Sequence, residues 1–247
     1  MKYGTGGKRG ALLLYYAHFM NHRDYKEFAP DCFYHIYNRG NGKMKVFLDP
    51  QDYGNFLKRL RLALGVSESQ KGRPFLGEKG APFSEPLQGP QIKPFSPNTF
   101  TLLAYCLMPN HFHFFIRQNT DIPISKLFLK ICTSYSMYFN RRYKHVGHVF
   151  QDRFKAASVD SDSYFNRISV YIHANPKAAG LVEDLDDWSY SSYLYYVGKR
   201  KGTLCDTRLV LSGFKSGKAY ADYVAEGFSI SENVKILGLL IDEDEDE

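Results

Sequence analysis

The chain has 247 residues, 44% of them hydrophobic, so it can bury a sizeable core as one large domain or two small ones. Its net charge is +6. Residues 242–247 are all acidic, so residues 1–241 hold 32 basic against 20 acidic residues, a net charge of +12. This basic body favours a polyanionic partner, and the acidic end is typical of a disordered, solvated tail.

The four cysteines, Cys32, Cys106, Cys132 and Cys205, are far apart and form no CxxC pair. This spacing argues against a zinc ribbon or a disulfide framework and for buried thiols in a reducing compartment. The apolar run at 11–17 is too short to span a bilayer, and no clear small-residue cleavage site follows it. We therefore predict a cytoplasmic protein that does not enter a membrane.

The first predicted element is a strand over Cys32–Arg39, where two kinds of side chain alternate as on a sheet with two different faces. Glycines at positions 40 and 42 end it. Asp49 and Pro50 then form a helix-start signal, and apolar residues between 56 and 64 give the following helix one apolar stripe. The regular part of the chain thus begins with a strand and a helix.

Residues 66–98 interrupt this pattern, since six of the eleven prolines fall within them. Neither a helix nor a strand persists through so many prolines, so we interpret this span as an insertion that acts mainly as a linker. The sequence accordingly divides into an N-terminal extension (1–31), a main domain (32–196) that contains the insertion, a C-terminal helical extension (197–241) and the acidic tail (242–247).

The insertion is followed by a hairpin, because two apolar strands flank a tight turn. The predicted elements from here are strands over Phe100–Leu107 and His111–Gln118, a helix over Ile124–Tyr143, a strand over Phe154–Val159, and a helix over Ser163–Ala174 that Pro176 stops. The resulting order predicts an α+β fold. It consists of a ferredoxin-like antiparallel sheet with helices on one face, plus a C-terminal helix that bears Tyr171.

The hairpin carries two histidines, His111 and His113, two residues apart. Side chains at this spacing in a strand point to the same face, so both imidazoles could bind one divalent ion while Phe112 and Phe114 pack on the opposite face. Such a pair is often only hydrogen-bonded, however, and a catalytic metal needs about three protein ligands. The rest of the chain must therefore supply a further donor and a reactive group.

Tyr171 and Asn175 are candidates for these two roles, since residues four apart lie on one face of a helix. A phenol can attack a phosphodiester when a divalent metal neutralises the phosphate, and an amide oxygen one turn away could complete the coordination of that metal. The chain contains 19 tyrosines, so Tyr171 could also be a core residue and Asn175 a helix terminator. The spacing alone leaves both interpretations open.

Three ordered motifs resemble those of the HUH single-tyrosine transposases. Residues 108–113, Met-Pro-Asn-His-Phe-His, are similar to the histidine, hydrophobic, histidine motif of that family. Residues 171–176, Tyr-Ile-His-Ala-Asn-Pro, resemble its tyrosine helix, and 188–193, Trp-Ser-Tyr-Ser-Ser-Tyr, are similar to the segment that follows in the REP-associated branch. The resemblance runs from about residue 32 to residue 193, apart from the insertion, which the common pattern lacks.

The resemblance implies a transposase-type nuclease that acts on single-stranded DNA at hairpins or REP-like palindromes. Tyr171 is then the nucleophile, which forms a 5′-phosphotyrosine and releases a 3′-hydroxyl. His111, His113 and Asn175 are then ligands of Mg²⁺ or Mn²⁺, ions that are compatible with imidazole, an amide oxygen and water. Members of the family differ in whether one copy or two act, so a homodimer is an open expectation.

A basic stretch that begins at the end of the predicted helix over Ile124–Tyr143 fits a nucleic-acid partner. The predicted DNA contacts are Arg141, Arg142, Lys144, Arg153 and Lys155. Their charge would bind the phosphate backbone, and the neighbouring rings of Tyr143, Phe150 and Phe154 could stack on unpaired bases. A solvated helix end beside core aromatic residues would give the same pattern.

Two other functions remain open from the sequence. One is an RRM-like nucleic-acid-binding module without catalysis, because the same sheet topology serves RNA recognition. The other is a metal-dependent phosphoesterase that activates water and uses Tyr171 only structurally. A covalent adduct between protein and DNA would distinguish the transposase from both.

Overall fold

A computed structural model describes residues 28–66, 92–160 and 162–231. The strands in these segments are β1 (Phe33–Arg39), β2 (Phe100–Met108), β3 (His111–Gln118) and β4 (Lys155–Ser158). They form an antiparallel sheet in the order β2-β3-β1-β4, so β1 and β3 occupy its centre. This order confirms the predicted α+β, ferredoxin-like sheet.

Helices lie between and after the strands. Those in the described segments are α1 (Pro50–Ala63), α2 (Ile124–Tyr143), α3 (Asp162–Ala178), α4 (Tyr193–Tyr196), α5 (Arg208–Leu211) and α6 (Gly217–Ser231). Short 3-10 turns are found at Asn41–Lys43 and Leu185–Asp187. The region predicted as a C-terminal helical extension thus contains α5 and α6, while the domain boundaries stay a prediction.

One face of the sheet packs against α1 and α2 through aromatic side chains. Phe112 and Phe114 of β3 are fully buried there, and their rings contact Phe56 of α1 and Phe128 of α2. Burial of one such side chain stabilises the fold by about 1.5–3 kcal/mol. The prediction that these two phenylalanines point away from the histidine pair is confirmed.

A buried carboxylate joins the start of α1 to the end of α2. Asp52 is 0% exposed, and its oxygens accept hydrogen bonds from the hydroxyls of Tyr138 and Tyr143 at 2.9 and 2.8 Å. Arg142 donates to Asp52 at 2.9 Å and also forms an ion pair with Asp49, the residue that caps α1. A charge buried this deeply requires such partners, so these contacts hold the two helices together.

The opposite face of the sheet carries α3, which packs against β2 and β3 and is itself covered by α6. Phe115 of β3 and Ile172 of α3 are fully buried in this second core. His173 of α3 is also buried and hydrogen-bonds to the Tyr220 hydroxyl through Nδ1 and to the Ser192 hydroxyl through Nε2, both at 2.6 Å. These bonds tie α3 to α6 and to the chain segment just before α4.

Pro176 does not stop α3, and the predicted end at Ala174 is therefore wrong. The helix continues to Ala178 with Pro176 inside it, and the Ala179 amide still donates to the Asn175 carbonyl at 2.9 Å. Pro176 lacks the N–H that would bond to the Ile172 carbonyl, so the helix forgoes that bond and continues for only two residues beyond the proline. The helix ends before Gly180, whose φ of +66° is the left-handed conformation typical of helix C-termini.

Several predicted segments lie partly or wholly outside the described residues, namely 1–27 of the N-terminal extension, 67–91 of the insertion, 232–241 of the C-terminal extension and the acidic tail. All four cysteines are free thiols, of which Cys106 is buried and the other three are half-buried. None of the helices in the described segments is long and apolar enough to cross a membrane.

Candidate active site

The pairing of β1 with β3 sets the position of the two predicted histidine ligands. His111 lies opposite Arg39 and His113 lies opposite Tyr37. Directly opposed residues share a sheet face, so all four side chains lie on the face that carries α3. His113 is 2% exposed and His111 is half-buried, with their ring centres 5.0 Å apart. The prediction that both imidazoles project from one face is confirmed.

Helix α3 places Tyr171 over this face. The Tyr171 ring lies edge-on to the His113 ring, with centres 5.4 Å apart, and edge-on to the His35 ring at 5.8 Å. Tyr171 itself is half-buried, so its ring packs on the imidazoles while part of the side chain reaches solvent. The predicted nucleophile and a predicted metal ligand, distant in sequence, are therefore in direct contact.

His35 is a site residue that the sequence analysis did not select. Its Nε2 lies 3.0 Å from Nδ1 of His113, and the side chain is 2% exposed. Burial lowers the pKa of His35 to about 3 and holds the pKa of His113 well below its usual range. Both imidazoles are neutral at physiological pH, and the neutral ring is the form that binds a metal.

The alternation of side chains in β1 indicated that His35 lies on one face of the sheet. It did not indicate which strand lies beside β1, because that depends on the sheet order. The pairing of β1 with β3 is the information that brings His35 to His113.

The remaining predicted ligands each use one polar atom in a local hydrogen bond. Nδ1 of His111 lies 2.7 Å from Oδ1 of Asn110, so Nε2 is the nitrogen that His111 could offer to a metal. Nδ2 of Asn175 donates to the Tyr171 carbonyl at 2.7 Å, which makes Oδ1 the atom that this amide could offer. Two imidazole nitrogens and one amide oxygen form a donor set that fits a divalent cation with open positions for water.

Within the described segments, no three His, Cys, Asp or Glu side chains group closely enough to hold a metal ion. The amide of Asn175 is a ligand type outside that set of four side chains. The structure does not test this ligand role, and Asn175 stays a predicted ligand.

The five predicted DNA contacts differ in their surroundings. Arg141, Lys144 and Arg153 are exposed, and Lys155 is half-buried on the sheet face of the histidine pair, because it lies opposite Tyr37. Arg142, in contrast, is held by the ion pairs that join α1 to α2. Arg142 thus stabilises the fold, and the other four side chains stay predicted DNA contacts.

The aromatic residues of the basic stretch do not form a stacking surface, contrary to our expectation. Phe150 and Phe154 are each 7% exposed, and their rings pack on Phe112 and Phe128 in the core. The Tyr143 hydroxyl donates to the buried Asp52. These aromatic residues alternate with basic residues because the segment places its aromatic side chains in or against the core and most of its basic side chains in solvent.

Arg39 is a second site-face residue that the sequence analysis did not select. It lies opposite His111 in the sheet, and its Nε donates to Oε1 of Gln151 at 3.1 Å. Arg39 lies directly opposite His111, and Lys155 lies opposite Tyr37, the residue that faces His113. Both basic residues therefore lie on the sheet face of the histidine pair. The alternation of side chains along β1 places Arg39 on one face of the sheet. It does not place Arg39 beside His111 until the pairing of β1 with β3 is known.

Comparisons with known proteins were consistent with the motifs. Residues 94–175 match the model of the family described as "Transposase IS200 like", a segment that contains His111, His113, Tyr171 and Asn175. A solved structure of a REP-associated tyrosine transposase bound to a REP hairpin is similar with a TM-score of 0.49 and 14% identity, over 78% of this chain and 94% of that chain. No curated protein matches the chain. The matched segment covers two of the three motifs noted above, up to Asn175, so residues 94–175 are similar to the IS200-like transposases.

Proposed function

We propose that the chain is a single-strand DNA endonuclease and strand transferase of the REP-associated branch, with Tyr171 as its nucleophile. The observation that carries this proposal is the packing of the Tyr171 ring against His113, which is buried and neutral. Tyr171 therefore lies beside a proposed metal ligand, which is where a nucleophile would meet a metal-bound phosphate.

The reaction follows from the groups around Tyr171. Its hydroxyl oxygen bonds to the phosphorus of a backbone phosphate, its proton passes to solvent, and the bond from phosphorus to the 3′ oxygen breaks. The upstream strand leaves with a 3′-hydroxyl, and the downstream strand stays attached as a 5′-phosphotyrosine. Attack by a 3′-hydroxyl on that ester reverses the step, so strands are rejoined without an external energy source.

Three side chains would hold Mg²⁺ or Mn²⁺, namely Nε2 of His111, Nε2 of His113 and Oδ1 of Asn175. The ion, when bound, neutralises charge on the phosphate and orients it. The helix that carries Tyr171 also carries Asn175 one turn later, so nucleophile and ligand are positioned by one rigid element.

The substrate is a single strand or the tail beside a DNA hairpin, such as a REP-like palindrome. Tyr171 lies on the side of α3 that faces the sheet, so a DNA backbone must bend to reach it, which base stacking in a duplex resists. Arg39 and Lys155 lie on the same sheet face and would contact the phosphates next to the cleaved one. Binding should consequently weaken steeply as salt is raised.

A hairpin oligonucleotide with single-stranded tails tests this proposal. It is labelled at each end in turn, incubated with protein and Mg²⁺ or Mn²⁺, and run on a denaturing gel. We expect a protein-shifted band only with the label downstream of the cut, and no cleavage of plain duplex. A shifted upstream fragment, or equal cleavage of duplex, would contradict the mechanism.

The same gel distinguishes the two other functions. A phosphoesterase that activates water cleaves the strand without a shifted band. A binding module of RRM type retards the hairpin on a native gel and cleaves nothing.

A further inference from the structure

We infer that His35 is a positioning residue for the metal site, which accepts a hydrogen bond from Nδ1–H of His113 and thereby directs Nε2 of His113 at the metal. The inference rests on the proposed function, because it takes His113 to be a ligand. It concerns a residue that lies in β1, before the segment matched by the family model. The observation behind it is the 3.0 Å separation between Nε2 of His35 and Nδ1 of His113.

The geometry of the two rings distinguishes a hydrogen bond from shared ligation of one metal. Their centres are 5.2 Å apart and their planes are inclined by 21°. The difference between 5.2 Å and the 3.0 Å nitrogen separation is 2.2 Å, close to the length of two ring radii. The two nitrogens therefore lie between the ring centres on an almost straight line, with their lone-pair directions facing each other.

A metal bound by both nitrogens would need lone pairs that converge on a third point. Two lone pairs that face each other along a line are instead the arrangement of an N–H···N hydrogen bond. His35 is therefore the partner of a ligand and does not itself coordinate the ion.

The direction of this hydrogen bond decides whether His113 can bind a metal. If His35 donates from Nε2, then Nδ1 of His113 accepts, its proton lies on Nε2, and the ring has no lone pair for the ion. If His113 donates from Nδ1, its Nε2 is unprotonated and can ligate. Metal-binding histidines usually donate their second N–H to a fixed partner in this way. Here the acceptor is a neutral imidazole whose own proton lies on Nδ1.

His35 is held rigidly enough for this role. Its ring stacks on the Tyr37 ring with centres 5.1 Å apart and planes inclined by 28°, and the Tyr171 ring meets it edge-on. It is also 2% exposed, so water does not compete for Nε2. The same side chain thus supports both the ligand His113 and the nucleophile Tyr171.

Direct Mn²⁺ binding to the full chain, measured by calorimetry without DNA, tests the inference. His35→Met fills a similar volume but replaces the imidazole acceptor with a thioether, which accepts hydrogen bonds only weakly, and we expect Mn²⁺ affinity to fall about 10- to 100-fold. His35→Gln places an amide oxygen near the position of Nε2 and should recover most of that loss. The control is His145→Gln, since His145 bonds to Asn140 at the end of α2, away from the sheet face.

The His113→Ala variant separates failure of this inference from failure of the proposed function. If His113→Ala binds Mn²⁺ as the wild type does, the metal site of the proposed function is wrong. If His113→Ala loses Mn²⁺ but His35→Met retains wild-type affinity, the proposed function stands and the role of His35 is overturned.

A second measurement needs no variant and applies even if His35→Met does not fold. Long-range ¹⁵N–¹H NMR spectra of the Mg²⁺-loaded wild-type chain report which nitrogen of each imidazole carries the proton. We expect protons on Nδ1 of both His113 and His35. A proton on Nε2 of either ring would refute the inference.

Discussion

The buried His173 should make the stability of the chain depend on pH. Burial lowers the pKa of His173 to about 3, whereas an unfolded histidine has a pKa of about 6.5. Because the pKa of His173 is lower in the folded state, the unfolded state binds a proton first as the pH falls. The stabilisation of the folded state is therefore fully present above pH 6.5 and is lost progressively as the pH falls towards 3. At pH 5 the native ring is still neutral, while the unfolded ring is protonated. This pH lies 1.5 units below the unfolded pKa of about 6.5, and each unit corresponds to about 1.4 kcal/mol, so the free energy of unfolding falls by about 2 kcal/mol.

The surroundings of His173 support this sign. The groups that face it are the hydroxyls of Ser192 and Tyr220 and the rings of Tyr193 and Tyr196, all of them uncharged at neutral pH. Burial raises the pKa of Tyr220 well above its usual range, so that hydroxyl keeps its proton throughout. The buried His35 and His113 add losses of the same sign, since burial lowers their pKa values too.

Urea unfolding at pH 7.5 and pH 5, with chelator present, measures the effect. His173→Gln removes the titrating ring and keeps one amide to bond Ser192 or Tyr220. From pH 7.5 to pH 5, the free energy of unfolding of His173→Gln should fall by about 2 kcal/mol less than that of the wild type. This difference does not depend on how stable the variant is at pH 7.5. His148→Gln, at an exposed position, is the matched control and should behave as the wild type does. An equal loss in His173→Gln and the wild type would refute the reasoning.

Four further outcomes follow from the structure. Tyr171→Phe should abolish the covalent adduct on a denaturing gel while native-gel binding of the hairpin stays nearly intact, because only a hydroxyl is lost. His111→Ala should weaken Mn²⁺ binding and stop cleavage with no change in circular dichroism, and full activity in excess chelator would contradict this. Arg142→Ala should cost about 1.5–3 kcal/mol of unfolding free energy, since it removes charged hydrogen bonds to a buried carboxylate, whereas the exposed Arg141→Ala should leave stability unchanged. Lys155→Ala should lower the slope of log affinity against log salt by about 1, and an unchanged slope would exclude a phosphate contact.

The parts of the fold that were predictable from sequence are those set by local pattern. The hairpin around His111 and His113 combines apolar strands with turn chemistry, and α2 was predicted with its observed ends, Ile124 and Tyr143. Side chains two residues apart in a strand point to the same face, which predicted that His111 and His113 lie together. Such features depend only on neighbours along the chain, so a single sequence contains them.

The features that the sequence did not reveal depend on packing between distant segments. His35 joins the site only because β1 pairs with β3, and Phe150 enters the core only because its segment bridges back to Gly40 beside β1. The local rule that a proline ends a helix was wrong at Pro176 because the surrounding bonds of α3 were retained. Long-range pairing and tertiary support decide these cases.

Helix α3 connects the candidate chemistry to the far end of the chain. Residues two apart on a helix point to nearly opposite sides, so Tyr171 faces the histidines while His173 faces away from them. His173 is fixed by Tyr220 of α6 and by Ser192, whose Oγ also accepts from the Tyr105 amide of β2 at 2.8 Å. The orientation of Tyr171 therefore depends on residues beyond 175, where the family match ends. Residues 192–220 belong to the structural unit of the site, although they supply none of its proposed chemistry.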